Sequence, residues 1–95
     1  MKVRWAAVAR RDRRELIEYV ERESVRVAFT LDERIRAAVL RLADYPHSGR
    51  PGRDTGTREL IIPRTPYIAV YTVDDLGVRV IRLIHASQQW PEAQA

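Results

Sequence analysis

TRELIIPRTPYIAVYTVDDLGVRVIRLIHASQQWP, Thr57 to Pro91, reads as three short strands in succession: Arg58–Pro63, Tyr67–Val73 and Val78–His85. Each is rich in β-branched and aromatic residues and bounded by turn chemistry. Pro66, in the link Arg64-Thr65-Pro66, cannot continue a ladder, and Asp74-Asp75-Leu76-Gly77 ends in a glycine suited to a tight hairpin. The segment is an antiparallel meander that needs a hydrophobic cover on one face, and the N-terminal half supplies one.

Working back, Lys2–Trp5 alternates as a first strand that can join this sheet. From Val8 the period changes to helical: Leu16, Ile17 and Val20 form a narrow apolar stripe, with Ala9 and Arg13 upstream, to about Glu23. Ser24 caps a second helix with a clearer stripe, Ala28, Leu31, Ile35, Ala38, Val39 and Leu42. That helix stops before Pro46, because the residue preceding proline is biased out of the helical region. Pro46–Gly56, dense in Gly and Pro, reads as a surface loop. The expected fold is α+β, in the order β-α-α-β-β-β, with a helical hairpin packed on a small antiparallel sheet. Residues 1–95 form a single domain: hairpin about 8–45, meander about 57–86, and a short tail 87–95.

Ninety-five residues bury roughly 65% of the unfolded chain's surface. Hydrophobic content of 45% with 32% charged residues excludes a disordered chain. No cysteine is present, so disulfides and thiolate metal sites are excluded. No apolar run approaches a membrane span, and Met1–Arg14 lacks a signal core; a cytoplasmic location is expected. The net charge of +4 is uneven: six basic residues against Asp12 leave +5 over residues 1–14. Sixteen of the seventeen basic residues are arginine, which suits planar contact with carboxylate or phosphate or equally a GC-rich coding sequence.

Arg10, Arg11, Arg13 and Arg14 occupy the opening turns of the first helix, where the macrodipole favours anions. Either tertiary packing holds a solvated basic face there, or the face is kept for an acidic partner. No phosphate-binding glycine loop, nucleophile elbow or paired-carboxylate motif is present, and the spacing of His47 and His85 recommends no metal site. His47 is read as exposed. His85 ends the last strand, where it is either a structural imidazole bonding the next turn or an acid–base group. Arg58, Arg64, Arg79 and Arg82 are near enough in sequence to bind a phosphodiester. Regular alternation puts Arg82 and His85 on opposite faces unless a bulge intervenes. Trp90, after Ser87-Gln88-Gln89, packs over the core edge or contacts a partner. Tyr67 shares a strand face with Ala69 and Tyr71, with Ile68 and Val70 opposite.

The helix ending RLADYP, the following SGRPG, the strands GTRELIIPRTPYIAVY and the closing VIRLIHASQQWP together resemble the RelE/ParE superfamily of type II toxin–antitoxin toxins, over nearly the whole chain. The resemblance implies a toxin neutralised by an acidic antitoxin, through which the pair reaches promoter DNA, with a role in plasmid stabilization. RelE-like members are ribosome-dependent mRNA endoribonucleases. ParE-like members inhibit DNA gyrase without such chemistry. On the ribonuclease reading, His85 is the acid or base and Arg58 and Arg82 are phosphate ligands. The middle strand, however, has no basic residue where several ribonucleases carry one, and Lys2 is the only lysine. The wording GTREL and TPYIAVY is closer to ParE-like chains. The lead expectation is therefore a gyrase inhibitor with no cofactor and no metal, with Arg10, Arg11, Arg13, Arg14, Tyr67 and Trp90 as partner contacts. An endoribonuclease, or a toxin-derived binding module without toxicity, are the alternatives.

Overall fold

In the computed structural model, residues 1–87 are described. Strand β1 (Val3–Trp5) leads into helices α1 (Ala7–Glu21) and α2 (Val25–Leu40), a 3-10 turn (Arg41–Ala43), and strands β2 (Arg50–Pro51), β3 (Arg58–Ile61), β4 (Tyr67–Asp74) and β5 (Gly77–His85). The strands form one sheet in the order β1-β5-β4-β3-β2. The meander β3-β4-β5 is antiparallel as expected. Two features depart from the sequence reading. The Gly/Pro-rich loop contains the short β2, which pairs with β3, and β1 runs parallel to β5, so the sheet is mixed.

The parallel direction follows from the path into α1. Ala6 N–H donates to Val80 O, and Asp12 reaches Leu83. Six helical residues rise about 9 Å and three strand residues about 10 Å. The chain thus continues along β5 in one direction from β1 into α1, with no reversal. Gly77 is required where β1 begins: its φ is 121°, and a side chain there would strike the carbonyl of Lys2.

Ser24 caps α2 as read from sequence, its hydroxyl accepting from Val27 N–H at 3.1 Å. The α2 stripe seats Ala28, Ile35, Val39 and, beyond the helix, Leu42 in the core. Ile35 and Leu42 are fully buried, which stabilises the fold by about 1.5–3 kcal/mol each. They pack with Ala9 of α1 against Ala69, Tyr71, Val78, Val80 and Leu83 of the sheet. The opposite face carries a second buried cluster of Ile68, Val70 and Ile84. Both faces of β4 are therefore occupied, which explains its nearly continuous apolar run.

Between Val70 and Tyr71 the β4–β5 register slips, Val70 facing Arg82 and Tyr71 facing Val80. Ile81 is the extra residue, a β-bulge, and it lets Val78, Val80 and Leu83 all face the helices. Tyr71 anchors the preceding loop: its hydroxyl donates to Pro46 O at 2.8 Å and accepts from Gly49 N–H at 2.9 Å. A Cβ at Gly49 would lie 2.7 Å from that hydroxyl, so the loop can close on the tyrosine only with glycine there.

Candidate functional site

The three residues of the ribonuclease reading are placed by three different local constraints. Arg58 opens β3, and its Nη1 donates to Gly49 O at 2.6 Å and His47 O at 3.2 Å. It holds the loop carbonyls, while the His47 side chain is exposed. Arg82 turns to α1, where Asp12 receives its Nε at 2.8 Å and Nη2 at 3.3 Å. His85 ends β5 opposite Tyr67, with the rings edge to face at a centroid distance of 5.3 Å. Its Nδ1 receives Ser87 N–H at 3.0 Å and lies 2.7 Å from Ser87 Oγ. With a backbone donor aimed at Nδ1, the proton of the neutral ring belongs on Nε2. The bulge lies upstream of Arg82, and the register is regular from there to His85. Arg82 and His85 therefore keep opposite faces of the strand.

The basic first helix divides. Arg10 Nη1 donates to Trp5 O at 3.1 Å. Arg13 turns inward, bonding Asp32 of α2 at 2.6 Å and stacking over the Trp5 ring at 5.0 Å. Arg11 and Arg14 are exposed. Arg10, Arg13 and Arg14 line one shallow groove of about 510 Å³ together with Ile17, Glu18 and Asp32. The groove is thus mixed in charge rather than uniformly basic.

A second, more apolar groove lies between α2 and the β3–β4 turn, a feature that sequence reading missed. Phe29, Ala37, Ala38 and Pro63 line one part of about 520 Å³, with Arg34, Arg41 and Arg64 around it. Val27, Leu31 and Tyr67 line the adjoining part of about 440 Å³, which shares Thr30, Arg34 and Arg64. Phe29 is 68% exposed, and Val25 and Tyr19 stand exposed nearby in sequence. Arg64 has φ 63°, the left-handed conformation of a turn residue. The signal in the sequence was Val25–Phe29 at helical spacing, off the core stripe. Trp90 lies outside the described residues.

Two carboxylates also went unread. Glu59, the single acid of β3, has a side chain only 2% exposed. It binds Arg50 at 3.0 Å, the Arg53 backbone N–H at 3.1 Å and the Arg53 guanidinium at 3.6 Å. Asp12, the single acid among the α1 arginines, accepts Leu83 N–H at 3.0 Å besides holding Arg82. Both satisfy groups at places where the sheet ladder gives out. Among the described residues no three His, Cys, Asp or Glu side chains gather as a metal site, and no helix is long and apolar enough to cross a membrane.

Comparison with known proteins follows the same outline. Residues 3–90 match the family model described as the ParE toxin of the type II toxin–antitoxin system parDE. The putative toxin Y4kP of Sinorhizobium fredii is 41% identical over 91 residues, 96% of this chain and 94% of that protein. Toxin RelE2 of Caulobacter vibrioides is 31% identical over 84 residues, 88% and 91% of the two chains. Among solved structures, a chain of the chromosomal ParDE system of P. aeruginosa superposes with a TM-score of 0.79 at 24% identity, covering 90% of this chain and 95% of that one. A chain of the RelBE2 toxin–antitoxin complex of Mycobacterium tuberculosis gives 0.58 at 25% identity, covering 92% of each.

Proposed function

Because the chain belongs to the ParE toxin family of type II toxin–antitoxin systems, we propose that it acts as a ParE-like inhibitor of DNA gyrase, by binding rather than by catalysis, and that an acidic antitoxin neutralises it. One observation carries the choice of mechanism. Cleavage of RNA by its own 2′-hydroxyl needs an acid–base pair and phosphate ligands converging on one phosphate. Here Arg58 serves loop carbonyls, Arg82 serves Asp12, and His85 faces away from Arg82.

The groove along α2 suits the antitoxin. Its apolar lining of Phe29, Ala37, Ala38 and Tyr67 is flanked by Arg34, Arg41 and Arg64, with one carboxylate, Glu33, which Arg36 neutralises. An amphipathic acidic segment would bury its apolar side chains there and place carboxylates on the arginines. Exposed Arg11 and Arg14 on α1 add a long-range attraction for the same partner.

Supercoiling of relaxed plasmid by gyrase, titrated with antitoxin-free toxin, tests the proposal. Inhibition that added antitoxin reverses is expected. Untouched supercoiling from a folded sample that still arrests growth would overturn it in favour of ribosome-dependent mRNA cleavage, the activity class of RelE-like toxins. A folded chain whose strong expression leaves growth unaffected would instead be a binding module without toxicity.

A further inference from the structure

We propose that Arg4, Arg79 and Thr72 form a binding site for the phosphates of a nucleic-acid backbone, on the sheet face turned away from the helices. The site goes beyond the toxin reading and holds whichever target that reading names.

The placement follows from register. Arg4 pairs with Arg79 across β1 and β5, and Arg79 pairs with Thr72 across β5 and β4. The flanking residues Val3, Trp5, Val73, Val78 and Val80 all pack into the helix-side core. By alternation, the three residues between them project from the other face, where both arginines are exposed. Neighbouring strands are about 4.8 Å apart, so the two guanidinium groups spring from adjacent points on rigid backbone.

Like charges directly opposite one another destabilise a sheet. Other arginines meet a carboxylate, Arg13 at Asp32, Arg36 at Glu33, Arg50 at Glu59 and Arg82 at Asp12. Arg4 and Arg79 have no ion-pair or hydrogen-bond partner among the described residues. Asp74 follows two residues after Thr72 on the same strand, but its Oδ1 accepts Leu76 N–H at 2.8 Å. A tetrahedral oxyanion between the two forks would remove the repulsion and take two bidentate contacts, with the Thr72 hydroxyl as a further donor. A phosphodiester fits better than an acidic peptide. The side chains of the row are polar; of the exposed apolar residues that would anchor a peptide, Phe29, Val25 and Tyr19 lie on the helical hairpin, Ile61 two strands from β5 on β3, and Leu76 in the β4–β5 turn. Contacts to phosphate carry no sequence information, so binding should be indifferent to base sequence.

The test is fluorescence anisotropy of a short labelled duplex of mixed sequence with the full chain, free of antitoxin, across about 50–200 mM salt. Arg4→Ala with Arg79→Ala should weaken binding at least about ten-fold at low salt. It should also flatten the slope of log K against log salt by about two, one for each phosphate that the variant no longer neutralises. Arg11→Ala with Arg14→Ala, which removes the same charge from α1, should change the slope by less. The pair Arg4→Lys with Arg79→Lys keeps charge without the fork and should fall between, and it reads the site even if the alanine pair folds poorly. Equal losses from the β-sheet and α1 pairs would overturn the proposal, as would an unchanged slope. So would labelled polyglutamate binding that depends on Arg4 and Arg79 while duplex binding does not, since the site would then belong to an acidic protein.

Discussion

Asp12 in α1 and Arg82 in β5, seventy residues apart in sequence, share an ion pair whose Nε–Oδ2 distance is 2.8 Å. The same Oδ2 accepts the N–H of Leu83, just beyond the point where β1 ceases to cover the edge of β5. One carboxylate thus neutralises an arginine and completes the strand edge. Asp12→Ala should cost about 2–3 kcal/mol, because it leaves the Leu83 backbone donor unmatched and takes the carboxylate from a largely buried guanidinium. Arg82→Ala should cost less, since Asp12 keeps the Leu83 bond. Urea midpoints of the two variants and their double mutant check the order, and a larger loss for Arg82→Ala would contradict it.

Glu59 gives the opposite asymmetry. Its carboxylate is buried, whereas Arg50 and Arg53 are about half exposed. Removing both guanidinium groups strands a buried charge and should cost about 3–5 kcal/mol. Glu59→Leu removes the buried charge, and the groups it held, the two guanidinium groups and the Arg53 N–H, belong to exposed residues that water can reach, so it should cost no more than about 1 kcal/mol. Chemical denaturation of the two variants compares them directly, and a costlier Glu59→Leu would show that the carboxylate's bonds, not its burial, dominate.

Gly77 combines a positive φ with close backbone approach. Gly77→Ala should destabilise by about 2 kcal/mol or more, and the loss should concentrate where β1 meets β5. Hydrogen exchange is the sensitive readout: the Val78 amide, bonded to Lys2 O, should lose protection well before that of Ile62, which bonds within the meander. Equal loss at both would mean global rather than edge failure.

His85 is held by Ser87 and meets the Tyr67 ring edge to face. His85→Ala should lower stability by about 1 kcal/mol, the usual worth of such an aromatic pair, and leave growth arrest intact. Long-range proton–nitrogen NMR should find the neutral ring protonated at Nε2. Loss of toxicity without loss of fold would return His85 to a chemical role.

Antitoxin association should be steered by the exposed arginines of α1. Arg11→Glu with Arg14→Glu should slow association by roughly ten-fold at low salt and change dissociation little. Phe29→Ala, in the α2 groove, should do the reverse. Stopped-flow binding separates the two, and an unchanged on-rate in the charge-swapped variant would show that α1 does not guide the encounter.

By itself the sequence determined the elements that rest on local chemistry. Ser24 as a cap, the α2 stripe, the turn at Asp74–Gly77 and the alternating strands of the meander each depend on neighbours within a few residues, where periodicity and turn propensity act. The family resemblance likewise rested on contiguous motifs. Tertiary structure alone decided what depends on register between distant segments. β2 is two residues long, too short to leave a periodic signal, and exists because Glu59 and Tyr71 hold its loop against the sheet. The parallel direction of β1 follows from where α1 must travel. The bulge at Ile81 re-aimed β5 so that Leu83 shares a face with Val78 and Val80, which regular alternation would separate. The arginines were the least legible of all. Identical in sequence, they became a ligand of loop carbonyls at Arg58, a half-buried brace at Arg13 and an unneutralised pair at Arg4 and Arg79. A long flexible side chain has no role until the fold sets which charges come within a few ångströms of it.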